Sequence, residues 1–156
     1  MLRKEHDKAI AAAERAIALN PNAAVAYKDL GVILINSGRY EEGTKLIEKA
    51  MRLNPIPPTH YLQDLGFGYA HLGRYEDATE MFQMALKRAP NNVFGHIGLA
   101  YVYISLGREE DARRHAEEVL KLDPTFSLEQ YAEIRPVKDK AEVERYIANL
   151  RRAGLR

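Results

Sequence analysis

The sequence contains no cysteine among its 156 residues. Disulfides, zinc–thiolate sites and catalysis by a thiol are therefore excluded, although this absence does not decide the compartment. The chain also lacks an excess of either charge, since 23 basic and 22 acidic residues leave a formal net charge of +1. Phosphate backbones and anionic lipids are attracted by a strong positive field. We therefore expect neither nucleic acid nor a membrane as a partner.

Long apolar runs are absent as well. No stretch approaches the roughly 18 apolar residues that a membrane-spanning helix needs. The first residues, MLRKEHDKAIAAAERAIAL, place charges among the apolar positions, so they lack the core of a signal peptide. With 46% hydrophobic and 29% charged residues, the composition is that of a globular protein and argues against disorder. We expect one soluble domain, in the cytoplasm.

Self-similarity at a fixed spacing organises the chain. A glycine followed by arginine recurs at Gly38, Gly73 and Gly107, in steps of 35 and 34 residues. The prolines that close the intervals are Pro21, Pro55, Pro90 and Pro124. Each complete interval holds two helical stretches around the glycine, and acidic residues open the second helix, as the helix dipole favours. The pattern predicts helix–turn–helix units at residues 24–58, 59–92 and 93–126 within a single domain, 1–156.

Small residues recur in the middle of these helices, where glycine costs about 1 kcal/mol relative to alanine. Two antiparallel helices approach closely only where one side is small, so we expect these residues at helix crossings, with large side chains filling the remaining gap. The expected crossing pairs are Gly31 with Gly43, Gly66 with Ala78, and Ala100 with Ala112. Gly68 fits neither a crossing nor a turn, and we expect it to be merely tolerated on the inner face.

With these features the repeat resembles the tetratricopeptide repeat (TPR). The second unit matches that pattern at Leu65, Gly66, Tyr69, Gly73, Tyr75, Ala78, Phe82, Ala85 and Pro90. Departures occur at Leu34 and Gly43 in the first unit, and at Ala100, Glu109, Ala116 and Val119 in the third. The resemblance covers residues 9–126. It implies an all-α fold, a right-handed TPR helix-turn-helix solenoid, and a function in binding proteins or peptides.

The two ends of the chain differ from the repeat. Residues 1–23 form a half-repeat, in which residues 6–20 match the second helix of a unit that lacks its first helix, and Ala9, Ala13 and Ala16 align with Ala78, Phe82 and Ala85. Because repeat arrays normally cover such a face, either the chain is a fragment of a longer array or something docks on this face. We predict a homodimer or weak self-association through this helix. A strict monomer in sedimentation at high concentration would exclude the oligomer.

Residues 127–156 predict a C-terminal helical cap. Ser127 with Gln130, and Asp139 with Glu142, have capping-box spacing, and Thr59 and Asn92 are further candidate N-caps. A short helix is expected to end before Pro136. The last helix carries the apolar stripe Val143, Tyr146, Ile147 and Leu150, and Gly154 ends it.

The segments NPIPPTHYLQDLG and PVKDKAEVERYIANLRRAGL are also similar to C-terminal repeat regions of some bacterial nucleotide cyclases and multi-domain transcriptional regulators. In those proteins a catalytic or DNA-binding domain precedes the repeats, and neither domain is present in this sequence. This second resemblance implies a regulatory module, or descent from one.

In the TPR family the first helices line a concave groove, which the second, fifth, ninth and twelfth residues of each unit face. Those positions hold Val25, Lys28, Val32, Ile35, His60, Gln63, Phe67, Ala70, Phe94, Ile97, Tyr101 and Ile104, and His71 also approaches them. Such a mostly apolar surface typically marks a partner site for an extended peptide or an amphipathic helix. Alternatively, the C-terminal helix or a neighbouring subunit fills it.

Other site types are disfavoured. Lys28 is the single basic residue among the twelve groove positions, so the carboxylate clamp of chaperone-adaptor TPR proteins is not expected. The five histidines show no spacing for a metal site, and His96 is expected to replace a core aromatic residue. No phosphate loop, nucleophile–base motif or other catalytic pattern occurs. We expect a non-enzymatic scaffold without cofactors that captures a peptide or helix; self-assembly and a detached regulatory domain are the alternatives.

Overall fold

The computed structural model describes residues 2–134 and 139–156, and all regular secondary structure in these ranges is helical. The helices are α1 (Leu2–Leu19), α2 (Ala24–Asn36), α3 (Tyr40–Leu53), α4 (Thr59–His71), α5 (Tyr75–Arg88), α6 (Val93–Ser105), α7 (Glu109–Leu122), α8 (Leu128–Glu133) and α9 (Lys140–Ala153). They form the helical solenoid that the sequence predicts. Within the described ranges, none of these helices has both the length and the apolarity to traverse a lipid bilayer.

The glycine–arginine turns join α2 to α3, α4 to α5 and α6 to α7. Gly38, Gly73 and Gly107 have φ values of +84°, +72° and +74°, a left-handed conformation that favours glycine. The arginine that follows each glycine donates its backbone N–H to a carbonyl five residues earlier, which closes the helix end in a Schellman motif. The guanidinium groups of Arg74 and Arg108 lie over the rings of Tyr69 and Tyr103, at 4.2 and 4.5 Å. The recurring Gly-Arg pair thus ends the first helix of each unit, and in the second and third units its arginine also covers the last aromatic residue of that helix.

Backbone contacts backbone where α2 crosses α3. A Cβ atom placed on Gly31 would lie 2.7 Å from the carbonyl oxygen of Gly43, and one placed on Gly43 would overlap the carbonyl oxygen of Gly31. Neither carbonyl can move without shifting its helix. The prediction that small residues permit a close crossing is confirmed for this pair, and a glycine is required on each side.

Replacing Gly43 with alanine should therefore destabilise the protein, although alanine occupies the equivalent sites Ala78 and Ala112. Overpacking typically costs about 1–3 kcal/mol, and the better helix propensity of alanine returns up to about 1 kcal/mol. We expect a net loss of about 1–2 kcal/mol in the free energy of unfolding, measured by urea denaturation. Gly95→Ala is the matched control, because its Cβ would meet side-chain atoms, Cδ2 and Cγ of Leu86 at 2.9 and 3.0 Å, rather than the backbone of another helix. Equal stability of the two variants would contradict the backbone contact.

Phe82 joins the second and third units. Its side chain is fully buried, and its ring lies against two helices at once. Cβ atoms placed on Gly66 of α4 and Gly98 of α6 would lie 2.8 and 2.5 Å from Cε1 of this ring. Phe67 contacts the same ring edge-on, with 5.0 Å between the ring centroids. Gly98, which the sequence analysis did not single out, thus has the same function between units that Gly66 has within one.

The expectation for Gly68 is wrong. A Cβ atom on this residue would lie 2.7 Å from Oγ1 of Thr44 and 3.0 Å from Cδ1 of Ile35. Gly68 is therefore packed against α3 and α2 of the preceding unit, rather than merely tolerated on the inner face. The glycine allows consecutive units to stack closely.

The N-caps agree with the sequence analysis at three of four sites. Asn92 accepts the backbone N–H of Gly95 at 2.9 Å, Ser127 accepts that of Gln130 at 3.4 Å, and Asp139 accepts that of Ala141 at 2.9 Å. The prediction for Thr59 is wrong, because Thr59 is the first residue of α4 and Pro58 takes the N-cap position. Pro58, in an extended conformation, presents its carbonyl oxygen to the N–H of Tyr61 at 2.9 Å.

The last helix caps the solenoid, as predicted. The buried residues that attach it to the main core are Tyr146, Leu150, Ala153 and Leu155. α9 packs chiefly on α6, with smaller contacts to α7 and α8. Gly154 ends it at a φ of +111°, and the carbonyl of Arg156 accepts the N–H of Leu128 at 3.0 Å. Pro136, which was predicted to end α8, lies outside the described residues.

Candidate functional site

The predicted groove residues divide into an exposed end and a covered end. The second residue of each unit is exposed: Val25 (61%), His60 and Phe94 (49%). Half-buried positions are Lys28, Val32, Phe67, His71 and Tyr101. Buried positions are Ile35, Gln63, Ala70, Ile97 and Ile104. The N-terminal ends of α2, α4 and α6 therefore present side chains to solvent, whereas the later positions are packed.

The packing of α9 explains part of the difference in exposure between the two ends of the predicted groove. The ring of Tyr146 lies on that of Tyr101, with 4.4 Å between the centroids. The hydroxyl of Tyr146 is 3.3 Å from that of Tyr131 in α8. α9 thus covers the ninth position of the third unit, which the sequence analysis assigned to the groove. Of the alternatives left open there, the C-terminal helix is the element found against this part of the surface.

Glu142 attaches the start of α9 to two earlier units. Its carboxylate is 2.5 Å from Nδ1 of His71 at the end of α4, and it accepts the hydroxyl of Tyr40 at the start of α3. The rings of Tyr40 and His71 are stacked, with centroids 4.6 Å apart. The side chain of His71 is only 8% exposed. The sequence paired Glu142 with Asp139 in a capping box; the structure shows its carboxylate bound across the solenoid instead.

We call the exposed end the open rim and define it as Val25, Lys28, His60, Asp64 and Phe94. At its centre, Nζ of Lys28 is 2.7 Å from a carboxylate oxygen of Asp29 and 4.0 Å from one of Asp64. Burial raises the pKa of Asp64 to about 6, while Lys28 lowers it and Asp29 raises it. Burial also lowers the pKa of His60, so this imidazole favours its neutral form.

Gln63 lies under the open rim and is held in place. Its side-chain amide donates to Oδ1 of Asn92, the same oxygen that caps α6. The Gln63 side chain is buried, which fixes the start of α6 against the middle of α4. This contact between units supports the rim and keeps Phe94 in a defined position relative to Asp64.

His96 of α6 and His115 of α7 form a pair of neighbouring imidazoles. Nε2 of His96 donates to the carbonyl of Pro90 at 2.9 Å, and Nδ1 of His96 is 2.9 Å from Nδ1 of His115. Burial, with the neighbouring His96, lowers the pKa of His115 to about 4. His96 is buried, as expected of a residue that replaces a core aromatic. In the described part of the chain, no group of three or more side chains is arranged to hold a metal ion.

Sequence reasoning did not assign Asp64 to a site, although a signal was present. His60 and Asp64 are four residues apart on α4, a spacing that places both on one helix face. A carboxylate on the face that also carries groove residues could therefore have been recognised. No comparable sequence signal identifies Asn92 or Glu142 as groove contacts, because each contacts a residue of another unit that is distant in the sequence.

Comparisons with known proteins agree with this architecture. A sequence profile of the tetratricopeptide repeat matches residues 1–61 and 69–135. A search of curated proteins finds no match. A crystal structure of MamA is similar over 97% of this chain and 88% of that chain, with a TM-score of 0.72 and 19% identity. YrrB, described as a TPR protein with an unusual peptide-binding site, is similar over 97% of this chain and 74% of that chain, with a TM-score of 0.67 and 21% identity. At these identities the likeness concerns the fold.

A second MamA structure, designated MamA AMB-1, has a higher sequence identity to this chain than the two structures above. It is 28% identical to this chain, with a TM-score of 0.68, over 77% of this chain and 70% of that chain.

Proposed function

Because the chain belongs to the tetratricopeptide repeat family, whose members are typically non-enzymatic interaction scaffolds, we propose that it binds an extended peptide segment of another protein along the open rim. The observation that carries this proposal is the exposure of Val25 and Phe94, at equivalent positions of two units, beside the half-buried Lys28 and Asp64. Apolar side chains exposed around a few oriented polar groups are typical of peptide sites. YrrB, with a similar fold, has a peptide-binding site.

An extended segment fits the available surface better than a helix. α9 covers Tyr101, so the face of the first helices is not open along its whole length. An amphipathic helix needs apolar contacts over several turns, whereas an extended peptide needs a narrow strip with alternating contacts. The open rim crosses three consecutive first helices near their N-terminal ends and provides such a strip.

Substitution of the apolar rim residues tests the proposal. The double variant Val25→Ser/Phe94→Ser should lower the affinity of peptides selected from a displayed random library by about tenfold or more, since each substitution removes an apolar contact. The matched control is Leu19→Ser/Ile56→Ser, which makes the same apolar-to-polar change at residues that are 87% and 82% exposed outside the rim. Circular dichroism verifies the helical content of both variants. Equal affinity for the rim variant and the unmodified protein would contradict the proposed function.

Self-association through residues 1–23 is the competing proposal, and it has its own observation. Ala9 and Ala13 of α1 are only half-buried, and Ala16 is exposed, whereas the aligned residues Ala78, Phe82 and Ala85 are fully buried. The face that holds a first helix in complete units is thus less covered in α1. A second copy of the chain could cover it, and sedimentation velocity distinguishes the dimer from the monomer.

A further inference from the structure

The charges of the open rim are not balanced. Among the residues that the structure describes, Lys28 is the one cation that acts on the Asp64 carboxylate, at 4.0 Å, and its ammonium lies closer to Asp29, at 2.7 Å. One ammonium therefore serves two carboxylates, and the three side chains carry a net negative charge when all are ionised. Of the two carboxylates, that of Asp64 lies farther from the ammonium.

Asp64 is also poorly hydrogen-bonded for its degree of burial. Its side chain is 29% exposed, and its contact with Nζ of Lys28 is 4.0 Å long, beyond hydrogen-bond distance. Asp64 is the sixth residue of α4, so it is too far along the helix to accept a bond from the free backbone N–H groups of the first turn. Partial removal of a carboxylate from water is costly when its counter-ion is this distant. A cationic group brought by a ligand would offset this cost.

The surroundings of Asp64 favour a basic side chain over a bare cation. The described residues hold no cluster of three or more metal-ligating side chains, so the rim offers no cage for a metal ion. Val25 and Phe94, which are exposed on the helices to either side, offer apolar contacts to the methylene stem of a lysine or arginine and to its neighbours. The site thus combines one anionic group with apolar flanks.

We propose that the peptide bound at the open rim carries a lysine or arginine whose charged group pairs with Asp64, flanked by apolar residues that contact Val25 and Phe94. This inference rests on the proposed function, because it names the chemistry of the segment captured there. The carboxylate of Asp64 determines the preference for a basic residue. Lys28 limits that preference, because its ammonium, which lies beside Asp29, neutralises part of the negative charge of the site. The protein therefore selects basic–apolar segments over acidic ones.

Two synthetic peptides of roughly nine residues test this inference. Both are acetylated and amidated and carry leucines around a central residue, which is lysine in one and norleucine, its uncharged analogue of similar length, in the other. NMR titration of the isotope-labelled full chain gives the affinity and the residues perturbed. The lysine peptide should bind about tenfold more tightly at neutral pH, because a charge-assisted hydrogen bond forms. The largest shifts are expected at the start of α2, α4 and α6.

Asp64→Asn should remove the preference for lysine, so that the lysine and norleucine peptides bind this variant with equal affinity. Asp7→Asn is the matched control, since it makes the same change in net charge at an exposed residue of α1. The preference should also shrink as the pH falls through about 6, the pKa of Asp64, because the protonated carboxyl does not attract a cation. Among the described residues, Lys28 and Asp29 on α2 and His60 and Tyr61 on α4 are the charged or titratable neighbours. The pKa of Tyr61 is raised above its usual 10.0, so its phenol stays neutral in this pH range, whereas charging of His60 at low pH acts in the same direction as protonation of Asp64.

The outcomes separate the two proposals. If both peptides perturb the rim with equal affinity, the preference for a basic residue is wrong and peptide capture stands. If the lysine preference persists in Asp64→Asn, the charge is recognised elsewhere and the inference is overturned. If neither peptide perturbs the rim at millimolar concentration, both the inference and the proposed function are contradicted.

Discussion

Replacing Phe82 with alanine is expected to lower the free energy of unfolding by about 3–5 kcal/mol. The ring is fully buried and fills the space between α4 and α6 that Gly66 and Gly98 leave open. Neither glycine has a side chain that could move into the cavity, so the site collapses poorly and the cost lies at the upper end of the usual range. Chemical denaturation, monitored by circular dichroism, measures the loss.

Phe94→Ala is the matched control for this prediction. It removes the same side chain from α6, at a residue that is 49% exposed, and should change stability by no more than about 1 kcal/mol. Comparable losses in the two variants would show that Phe82 does not join the units as described. A loss of the Phe82 contact should also reduce cooperativity, because adjacent repeats unfold together only when their interface is intact.

Introducing aspartate at Leu150 should be similarly damaging, with a loss of about 3 kcal/mol or more, because a charge would enter an apolar site without a partner. Leu150 is fully buried, within the apolar stripe by which α9 packs on α6. The expected result is release of α9, seen as rapid amide hydrogen exchange from Lys140 to Ala153 together with lower stability.

Ala148→Asp provides the control on the same helix. Ala148 is exposed and lies two residues from Leu150, so the substitution adds the same charge to the solvent side of α9. It should leave the exchange protection of α9 unchanged. If Leu150→Asp preserved that protection too, α9 would not be the buried cap that the packing indicates.

The sequence predicted most of the structural features that recur in each unit, and few of the contacts that occur only once. The turn glycines and the crossing of Gly31 with Gly43 recur in register, so their positions carry information beyond any single residue. The contact of Glu142 with His71 joins residues 71 positions apart, and no local pattern encodes such a pairing. Its capping-box spacing was a genuine local signal, but only the Asp139 half of the box is formed, while the Glu142 carboxylate binds elsewhere.

Gly68 shows why the packing between units was predicted less well than the helices. Periodicity identified its helix correctly, but its role depends on Thr44 and Ile35 in the preceding unit. The burial of Ile97 and Ile104 likewise depends on how the units stack, and the contact of Tyr101 with Tyr146 depends on where α9 packs. A twelve-position groove is a property of the family pattern, whereas the five-residue open rim follows from the tertiary contacts of this chain.

The most direct test of the central claim, that the open rim binds a peptide, is a crystal structure of the protein with a peptide selected from a displayed library. The account predicts an extended segment across α2, α4 and α6, in contact with Val25 and Phe94, while α9 keeps its position on Tyr101. A peptide bound on the outer face of α1, or one that replaces α9, would contradict it.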